Sequence, residues 1–214
     1  VRSIVHLRDI TERKKMENER KRFEERLSAL NIYGQNLNMA KNMKELYELT
    51  LDAMEKTLGF EYASLLMIDG KMLCMVGYRG YSKSFSIKLP LDGDKGVTTR
   101  VARSGKPIFV PDVRKDKAYV EGGEGICSEL AVPIKLGKKI LGVLNVGSKK
   151  IEAFNEQDRK FLKILASHVA IAISNLKRQE KLSALNAYAR SLNKAENLEE
   201  ICTITLDAME KVLG

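Results

Sequence analysis

Three cysteines are the residues of this 214-residue chain best suited to unusual chemistry. Cys74, Cys127 and Cys202 are an odd number of thiols at wide spacing, which matches no zinc motif and predicts free thiols in a reducing cytosol. Cys127 lies near the end of a glycine-rich loop, residues 114–128, so it could serve as a redox-active thiol, a covalent attachment point for bilin or haem, or a metal ligand. The alternative is a small half-buried side chain without a chemical role.

The sequence around His168 argues against a phosphoacceptor site. In the phosphoacceptor helix of a histidine kinase, Glu and then Arg-Thr-Pro follow the Ser-His pair, whereas Val169 and Ala170 follow here. His168 could instead be a haem ligand, or more simply a residue on an ordinary helix face. Because no Ser/His/Asp set, carboxylate pair or phosphate-binding loop stands out either, we expect no catalytic activity in this chain.

The charge of the chain indicates solubility rather than nucleic-acid binding. Its formal net charge is +9, from 37 basic and 28 acidic residues. Between Arg8 and Arg26 the two signs are interleaved, as on a solvated helix, and no aromatic residues accompany the other lysines to stack on bases. The longest apolar runs, LAVPI and ILGVLNV, are far below the ~20 residues that a membrane-spanning helix needs. We therefore expect a cytoplasmic protein with no membrane span in this part of the chain, and its N-terminal residues do not resemble a signal peptide.

An internal repeat predicts how the chain is organised. Residues 27–59 return as residues 182–214 at a constant offset of 155, and 20 of the 33 positions are identical. Periods of 20–50 residues are typical of solenoids, whereas a period near 155 fits whole globular domains. The repeat therefore predicts tandem domains, one complete copy followed by the opening helices of a second.

The N-terminal part is predicted to contain a strand and then a long helix. Alternation within residues 1–10 favours a strand, after which Asp9 would cap a helix, with Glu12 completing a capping box. Apolar residues then recur every seven residues at Met16, Phe23, Leu30 and Leu37, and Leu27 and Gly34 each follow four residues after a member of this series. This seam favours pairing with another helix, as in a coiled-coil dimer, and the alternative is a single amphipathic helix lying on its own domain.

The middle of the chain has the periodicity of strands. Six runs rich in strand formers are predicted strands: YASLLMI, MLCMVGY, SFSIKLP, PIFVPDV, ELAVPIKL and KILGVLNVGS. Two-residue hairpin turns are predicted at residues 69–70 and 137–138. The helices predicted around these strands cover residues 43–58, 96–103 and 156–193.

The last of these helices is predicted to join the two copies. Asn155 would cap it, with Asp158 at the third helical position, and neither glycine nor proline interrupts it up to residue 193. Its apolar face consists of Leu162, Leu165, Val169, Ala172 and Leu176. The register of this face slips before Leu182, so the helix would connect two domains across a register break and could carry a signal between them.

The order of these elements, together with two segments, resembles a GAF domain. GVTTRVARSGKPIFVPDV is similar to the middle of that family, and SELAVPIKLGKKILGVLNVGSKKIEAFNEQDRKFLKILASHVAIAISN to its C-terminal half. The resemblance covers roughly residues 40–176 and implies an α+β fold. That fold has a central antiparallel sheet of about six strands, long N- and C-terminal helices on one face, and a short helix and loop on the other. Thr99 replaces a frequent glycine, and Val146 follows Asn145 where cyclic-nucleotide-binding members have lysine, which disfavours a cyclic nucleotide.

The beginning of the chain resembles the end of a PAS domain. The run DITERK, residues 9–14, matches the segment that leads from the final PAS strand into a linker helix. The resemblances imply the end of a PAS domain in 1–10, a linker helix in 11–38, a GAF domain in 39–176, a linker helix in 177–193 and the start of a second GAF domain in 194–214. A PAS–GAF–GAF series is typical of signal-transduction proteins, most often the sensor histidine kinases of two-component systems.

A domain of this shape has a concave ligand pocket between the sheet and the short helix. The residues expected on its wall or rim are Tyr78, Asp112, Tyr119, Cys127 and Ser128, with Cys74 as a further candidate. The resemblance leaves the ligand open, haem or another small molecule. Ser128 follows Cys127 where bilin-binding relatives have histidine, and a free methionine sulfoxide reductase would need several cysteines around one pocket.

These observations favour a sensory module that binds a small molecule or responds to redox state and relays that change through its helical linkers. We expect a homodimer formed through those helices and no metal site. The alternatives are a ligand-free dimerisation spacer and a small redox enzyme.

Overall fold

The structure is a computed structural model that describes residues 2–81, 87–93, 95–121, 125–194 and 197–213, with the backbone alone for residues 2–11, 198 and 207–213. The helices are α1 (Arg2–Asn38), α2 (Met43–Asp52), α3 (Val97–Ser104), α4 (Glu156–Leu192) and α5 (Leu198–Leu213). The strands are β1 (Tyr62–Asp69), β2 (Met72–Arg79), β3 (Lys88–Pro90), β4 (Ile108–Val110), β5 (Ser128–Leu136) and β6 (Lys139–Ser148). A π-helical turn, Ala53–Thr57, extends α2, and a 3-10 turn, Val113–Lys115, follows β4.

The described strands form one antiparallel sheet in the order β3-β2-β1-β6-β5-β4. This confirms the predicted α+β fold and its six-stranded sheet. The β5–β6 turn lies at residues 137–138 as predicted, whereas the β1–β2 turn is Gly70-Lys71, one residue later than predicted. Part of the predicted strand SFSIKLP, residues 84–86, lies outside the described residues, and β3 is its described end.

The sheet separates two hydrophobic cores. On one face α1, α2 and α4 bury apolar residues of the strands, including Leu65 of β1 and Leu144 of β6. On the other face α3 and the segment after β4 cover Leu66 and Val143, the sequence neighbours of those two residues. Alternate strand residues thus enter opposite cores, as the pleat requires. The long helices lie on one face and the short helix on the other, as predicted.

The strand predicted within residues 1–10 is wrong for the described residues 2–10. These residues belong to α1, which begins at Arg2, so Asp9 lies inside a helix and does not cap one. A strand needs a neighbouring strand to pair its N–H and C=O groups, and the described sheet offers none to this segment. A helix satisfies the same groups within itself.

The predicted seam of α1 packs on its own domain from Phe23 onward. Leu30 and Leu37 are completely buried in the core shared with α2 and α4. The ring of Phe23 lies 4.9 Å from that of Phe161 on α4. Met16, one heptad before Phe23, is 71% exposed. The alternative of an amphipathic helix lying on its own domain therefore describes this part of α1, and the helix that it pairs with is α4 of the same chain.

The start of α4 is capped as predicted. The side-chain oxygen of Asn155 accepts hydrogen bonds from the backbone N–H groups of Gln157 (2.8 Å) and Asp158 (3.0 Å). In return, the Asp158 carboxylate accepts from the Asn155 N–H at 3.0 Å. The predicted apolar face of α4, from Leu162 to Leu176, is buried. Among the described residues, no helix is long and apolar enough to cross a membrane.

The capping box gives a test of how much this cap contributes to stability. Asn155→Ala should lower the free energy of unfolding by about 1 kcal/mol, because two N–H groups of the first turn lose their acceptor. Urea unfolding monitored by circular dichroism measures the change. Gln157→Ala, at an exposed neighbouring position, is the control and should stay within about 0.5 kcal/mol of wild type. Equal stability of the two variants would contradict a capping role.

Candidate functional site

A small cavity lies between the sheet and α3. Its volume is ≈ 30 Å³, and one part of its wall is apolar: Leu66, Met75, Ile87, Leu89, Val97 and Val120. The remaining wall, apart from Gly96, is polar: Ser64, Tyr81, Thr98, Glu129 and Asn145. A cavity of this size that is lined by several polar groups has room for about two water molecules or a compact polar ligand.

Strand pleating brings three polar side chains to the same face of the sheet. Ser64 of β1 is the direct partner of Asn145 on β6, and Glu129 lies on the neighbouring strand β5. Leu65, Leu130 and Leu144, each adjacent in sequence to one of them, point instead into the core beneath the long helices. The polar part of the cavity is therefore built on three adjacent strands of the sheet, β1, β6 and β5.

Glu129 is a carboxyl group buried in this cavity. The residue is only 7% exposed. Burial raises the pKa of its carboxyl from 4.5 to about 7, because the charged form is poorly solvated there. A hydrogen bond from Asn145 and the positive charge of Arg100 oppose that rise of the pKa, and the negative charge of Asp116 adds to it. Glu129 can therefore change its protonation state near neutral pH.

Asn145 presents an unpartnered acceptor. Its side chain is 8% exposed, and its amide N–H donates to the Ser64 hydroxyl at 3.4 Å. Its amide oxygen has no hydrogen-bond partner within the part of the chain that the structure describes. A buried acceptor without a partner costs about 1–3 kcal/mol. Such a cost is removed when a ligand or a water molecule supplies the missing donor.

The helix α3 and the segment after β4 close the cavity from the other side. Arg100 of α3 forms an ion pair with Asp116. The backbone N–H of Gly96, at the start of α3, donates to the carbonyl of Ala118 at 2.6 Å. Two further groups of α3, the Thr99 hydroxyl and the Arg100 Nε, are buried without a partner among the described residues. The ion pair and the backbone hydrogen bond therefore both connect the two parts of this cover, which also share an apolar core.

Tyr81 lines the cavity, and its ring packs against the rings of two other tyrosines outside it. Its ring lies 5.4 Å from that of Tyr62 and 5.9 Å from that of Tyr78. Burial raises the pKa of the Tyr81 phenol far above its usual range, and the charges of Glu129 and Tyr119 add to this rise. The Tyr81 side chain also hydrogen-bonds with Ser64. Tyr81 thus stays neutral at physiological pH and can donate or accept a hydrogen bond.

Two of the predicted site residues lie beside the cavity without lining it. Tyr78 does not line the cavity, and its ring packs against that of Tyr81, which does. Tyr119 packs against the α3 core next to Val120, which does line the cavity. Both tyrosines therefore support the wall rather than form it.

The other three predicted residues, Asp112, Cys127 and Ser128, form hydrogen bonds that stabilise the chain near the start of β5. Asp112 caps the 3-10 turn and binds Arg114 at 2.8 and 2.9 Å, and the Arg114 guanidinium lowers the pKa of the Asp112 carboxyl. The Ser128 hydroxyl donates to the Lys150 carbonyl at 2.7 Å. The Cys127 N–H donates to the Ser148 carbonyl at 2.7 Å. None of these three side chains lines the cavity.

The cysteines are not assembled into a site. Cys74, Cys127 and Cys202 are free thiols, Cys202 being exposed and the other two half-buried. Among the described residues, no group of three His, Cys, Asp or Glu side chains is arranged to hold a metal ion. Two of the glycines that precede Cys127, at positions 122 and 123, lie outside the described residues.

Glu129 and Asn145 line the cavity but are not among the residues predicted for the site. Glu129 stands at the start of the run ELAVPI, where it looks like the end of a loop rather than a cavity residue. The signal that could have identified it is strand alternation, because Glu129 and Ala131 share a face while Ser128 and Leu130 share the other. The same alternation places Asn145 with Val143.

Comparison with known proteins agrees with this fold. The family model of the GAF domain matches residues 40–174. The Nif-specific regulatory protein of Azospirillum lipoferum is 24% identical over 122 residues, which cover 54% of this chain and 19% of that protein. This chain therefore spans about a fifth of the length of that relative.

Solved structures show the same fold at low sequence identity. The GAF domain of a phosphoenolpyruvate-protein phosphotransferase from Coxiella burnetii has a TM-score of 0.65 and 22% identity, covering 74% of this chain and 98% of that one. The free methionine-R-sulfoxide reductase of Neisseria meningitidis, solved with its substrate, has a TM-score of 0.64 and 18% identity, covering 70% and 89%. This chain therefore belongs to the GAF family, whose domains are typical of sensory and regulatory proteins.

Proposed function

We propose that this GAF domain is the sensory module of a cytoplasmic multidomain signal-transduction protein, a sensor histidine kinase, and that it binds a small molecule in the cavity beneath α3. The observation that carries the proposal is the buried Asn145 oxygen, which faces this cavity without a partner among the described residues. The fragment itself is proposed to be non-catalytic, with the ligand acting as a signal.

The sheet offers a route from the cavity to the long helices. Glu129 faces the cavity, and the next residue of β5, Leu130, is buried in the core beneath α4. On the far side of that core, α1 lies against α4, where the Asn175 amide donates to the Asn38 side-chain oxygen at 3.0 Å. A ligand that favours one position of β5 would therefore favour one packing of α1 against α4.

The repeated segment supports a second GAF domain after α4. The Asn42 side chain accepts from the N–H of Glu45 at 2.9 Å, and Asn197 accepts from Glu200 at 2.9 Å, so the cap recurs at the offset of 155. Residues that the first copy buries are exposed at the equivalent positions: Leu185 (45%) corresponds to Leu30, Ile201 (41%) to Leu46, and Leu206 (66%) to Leu51. The sheet and C-terminal helix of a second domain would cover these residues, as those of the first domain cover the equivalent ones.

Two further parts of the proposal, a preceding PAS domain and a homodimer, are supported by features of the long helices. The run DITERK, residues 9–14, lies within α1 and would lead directly into the linker helix. Apolar side chains on the outer side of the α1–α4 layer, Ile32 and Ile171, are about half exposed. Burial of these residues against a second copy would join two sensory modules side by side, the arrangement in which a kinase dimer transmits a signal.

A ligand-free dimerisation spacer is the second candidate, and the small cavity volume of ≈ 30 Å³ favours it. Thermal unfolding in the presence of a small-molecule library separates the two functions. A sensor should be stabilised by at least one compound, by about 5–10 °C at saturating concentration. The same compound should change hydrogen exchange in α1 and α4. A library that leaves the melting temperature unchanged would favour the spacer.

The proposed route from the cavity to the long helices depends on the contact between α1 and α4, and a substitution at Gly34 tests this contact. A Cβ atom at Gly34 would lie 2.6 Å from Nδ1 of His168, so Gly34→Ala should push the helices or the imidazole apart. We expect a loss of about 1–2 kcal/mol in unfolding free energy, since the overpacking exceeds the gain in helix propensity.

His168→Ala provides the matched control for this prediction. Combined with Gly34→Ala, it removes the clashing ring and should recover most of the lost stability. Urea unfolding of the two single variants and the double variant measures the coupling energy. Additive effects of the two substitutions would contradict a direct contact between these residues.

A further inference from the structure

The acceptor groups of the cavity point to the chemical class of the ligand. We propose that the cavity binds a primary ammonium group, either as a compact cation such as methylammonium or as the end of a larger amine. This inference rests on the proposed ligand-sensing function and specifies what is sensed.

The hydrogen-bonding groups of the cavity match an ammonium group. Oxygen acceptors are contributed by the Glu129 carboxylate, the unpartnered amide of Asn145, and the hydroxyls of Ser64 and Thr98. A primary ammonium offers three N–H donors and no acceptor, so each donor can find one of these oxygens. A carboxylate or phosphate ligand would bring further acceptors against the unpartnered Asn145 oxygen and leave it unsatisfied.

The local charge favours a single positive charge. Among the residues that the structure describes, the charged groups that act on Glu129 are Arg100 of α3 and Asp116 of the following segment, and these two form an ion pair with each other. Tyr81 and Tyr119 lie on the remaining side, and burial raises the pKa of the Tyr81 phenol far above its usual range, so Tyr81 is neutral at pH 7. With Glu129 ionised, the three charges sum to −1, which one ammonium group would neutralise.

The size and the lining of the cavity limit the part of a ligand that enters it to a group about as large as methylammonium, with a single positive charge. A cavity of ≈ 30 Å³ accommodates about two heavy atoms, which is the size of methylammonium. Its methyl group would face the apolar wall formed by Leu66 and Val97. Divalent cations prefer several carboxylate ligands, whereas Glu129 is the one carboxylate among the described residues lining this cavity.

The same geometry predicts how binding depends on pH. An ammonium group interacts favourably only with the ionised form of Glu129. With the pKa of Glu129 at about 7, about a tenth of the empty sites are ionised at pH 6 and about nine tenths at pH 8. Methylammonium stays protonated over this range, as a lysine side chain does. Its affinity should therefore be about tenfold higher at pH 8 than at pH 6.

The test is calorimetric titration of the 214-residue protein with methylammonium chloride at pH 6 and pH 8. Potassium chloride and sodium acetate at the same ionic strength are the controls for cation type and for charge sign. We expect binding of methylammonium with the tenfold pH dependence and no comparable heat from either control. Equal binding of potassium, or tighter binding of acetate, would overturn the inference.

Two variants locate the site. Glu129→Gln keeps the shape of the side chain without its charge and should reduce methylammonium affinity at pH 8 at least tenfold. Glu61→Gln, at an exposed position before β1, is the matched control and should bind like wild type. The comparison of the two pH values in wild type tests the inference even if Glu129→Gln does not fold. Unchanged affinity in a folded Glu129→Gln protein would overturn it.

The outcomes also separate this inference from the proposed function. If methylammonium does not bind while a neutral or anionic library compound stabilises the domain, the ammonium inference fails and ligand sensing stands. If neither methylammonium nor any library compound binds, both fail.

Discussion

Glu129→Gln is expected to remove a loss of stability that the wild-type protein undergoes between pH 5 and pH 8. Burial raises the pKa of Glu129 from 4.5 to about 7, so the folded protein holds this proton more tightly than the unfolded chain does. The stabilisation is complete below the unfolded pKa and is lost as the pH rises through the folded one. Over pH 5 to 8 the loss amounts to about 2–3 kcal/mol.

The other shifted carboxyl groups do not mask this effect. Lys56 and Arg79 lower the pKa of Asp52, and Arg114 lowers that of Asp112. Stability from such groups is present above the unfolded pKa and is lost as the pH falls through the folded one, which lies below 4. Their contribution is therefore constant between pH 5 and 8.

Urea unfolding at pH 5, 6, 7 and 8 measures the dependence. The free energy of unfolding of wild type and of the surface control Glu61→Gln should fall in parallel, while the curve of Glu129→Gln should be flatter by about 2–3 kcal/mol over the whole range. If all three curves ran in parallel, Glu129 would titrate normally and would not be desolvated in the folded protein.

The fold could be predicted from sequence because each of its signals is local. The two-residue turns, the Asn155 capping box and the apolar strands are each encoded within about ten neighbouring residues. The prediction of a strand within residues 1–10 was wrong because strand formation also depends on a distant pairing partner. Alternation in residues 1–10 is compatible with a strand, but a strand exists only where another one pairs with it, and the described sheet provides no such neighbour.

The site was harder to predict because it depends on which side of the sheet a residue faces. Most candidates were placed in or beside the loop before β5, where functional residues are common, and two others, Tyr78 and Cys74, lie on β2. In the structure, Asp112 and Ser128 stabilise that loop, and the cavity belongs to Glu129 and Asn145 on adjacent strands. The positions are fixed by sheet register between segments far apart in sequence, which composition and motif spacing do not reveal.

Gly80→Ala is expected to destabilise the domain by more than about 3 kcal/mol, a large effect for a single methyl group. Gly80 has a φ of +82°, and an added Cβ would overlap the backbone carbonyl oxygen of Glu61 at the start of β1. The end of a flexible side chain could rotate away from the added methyl group, whereas the Glu61 carbonyl belongs to the backbone and cannot. The chain must therefore shift, or the hydrogen bonds between β1 and β2 must give way.

Gly70→Ala is the control that separates the energetic cost of the steric clash from the cost of the left-handed backbone conformation. Gly70 also has a positive φ, +56°, but a Cβ there would meet nothing within 4 Å. Its cost should therefore be that of the left-handed conformation alone, about 1–2 kcal/mol. Urea unfolding of both variants gives the difference, and equal losses would show that the Glu61 carbonyl does not confine Gly80.

Gly80→Ala should alter the wall of the cavity as well as lower the stability of the domain. Gly80 directly precedes Tyr81, whose ring lines the cavity, and its close approach to Glu61 fixes where the chain leaves β2. A shift at Gly80 would displace the Tyr81 ring from Tyr62, 5.4 Å away. Near-ultraviolet circular dichroism, which reports tyrosine packing, should therefore change in Gly80→Ala and stay like wild type in Gly70→Ala. An unchanged tyrosine signal in a destabilised Gly80→Ala protein would mean that the strain is absorbed in β1 and that the cavity wall is positioned independently of this glycine.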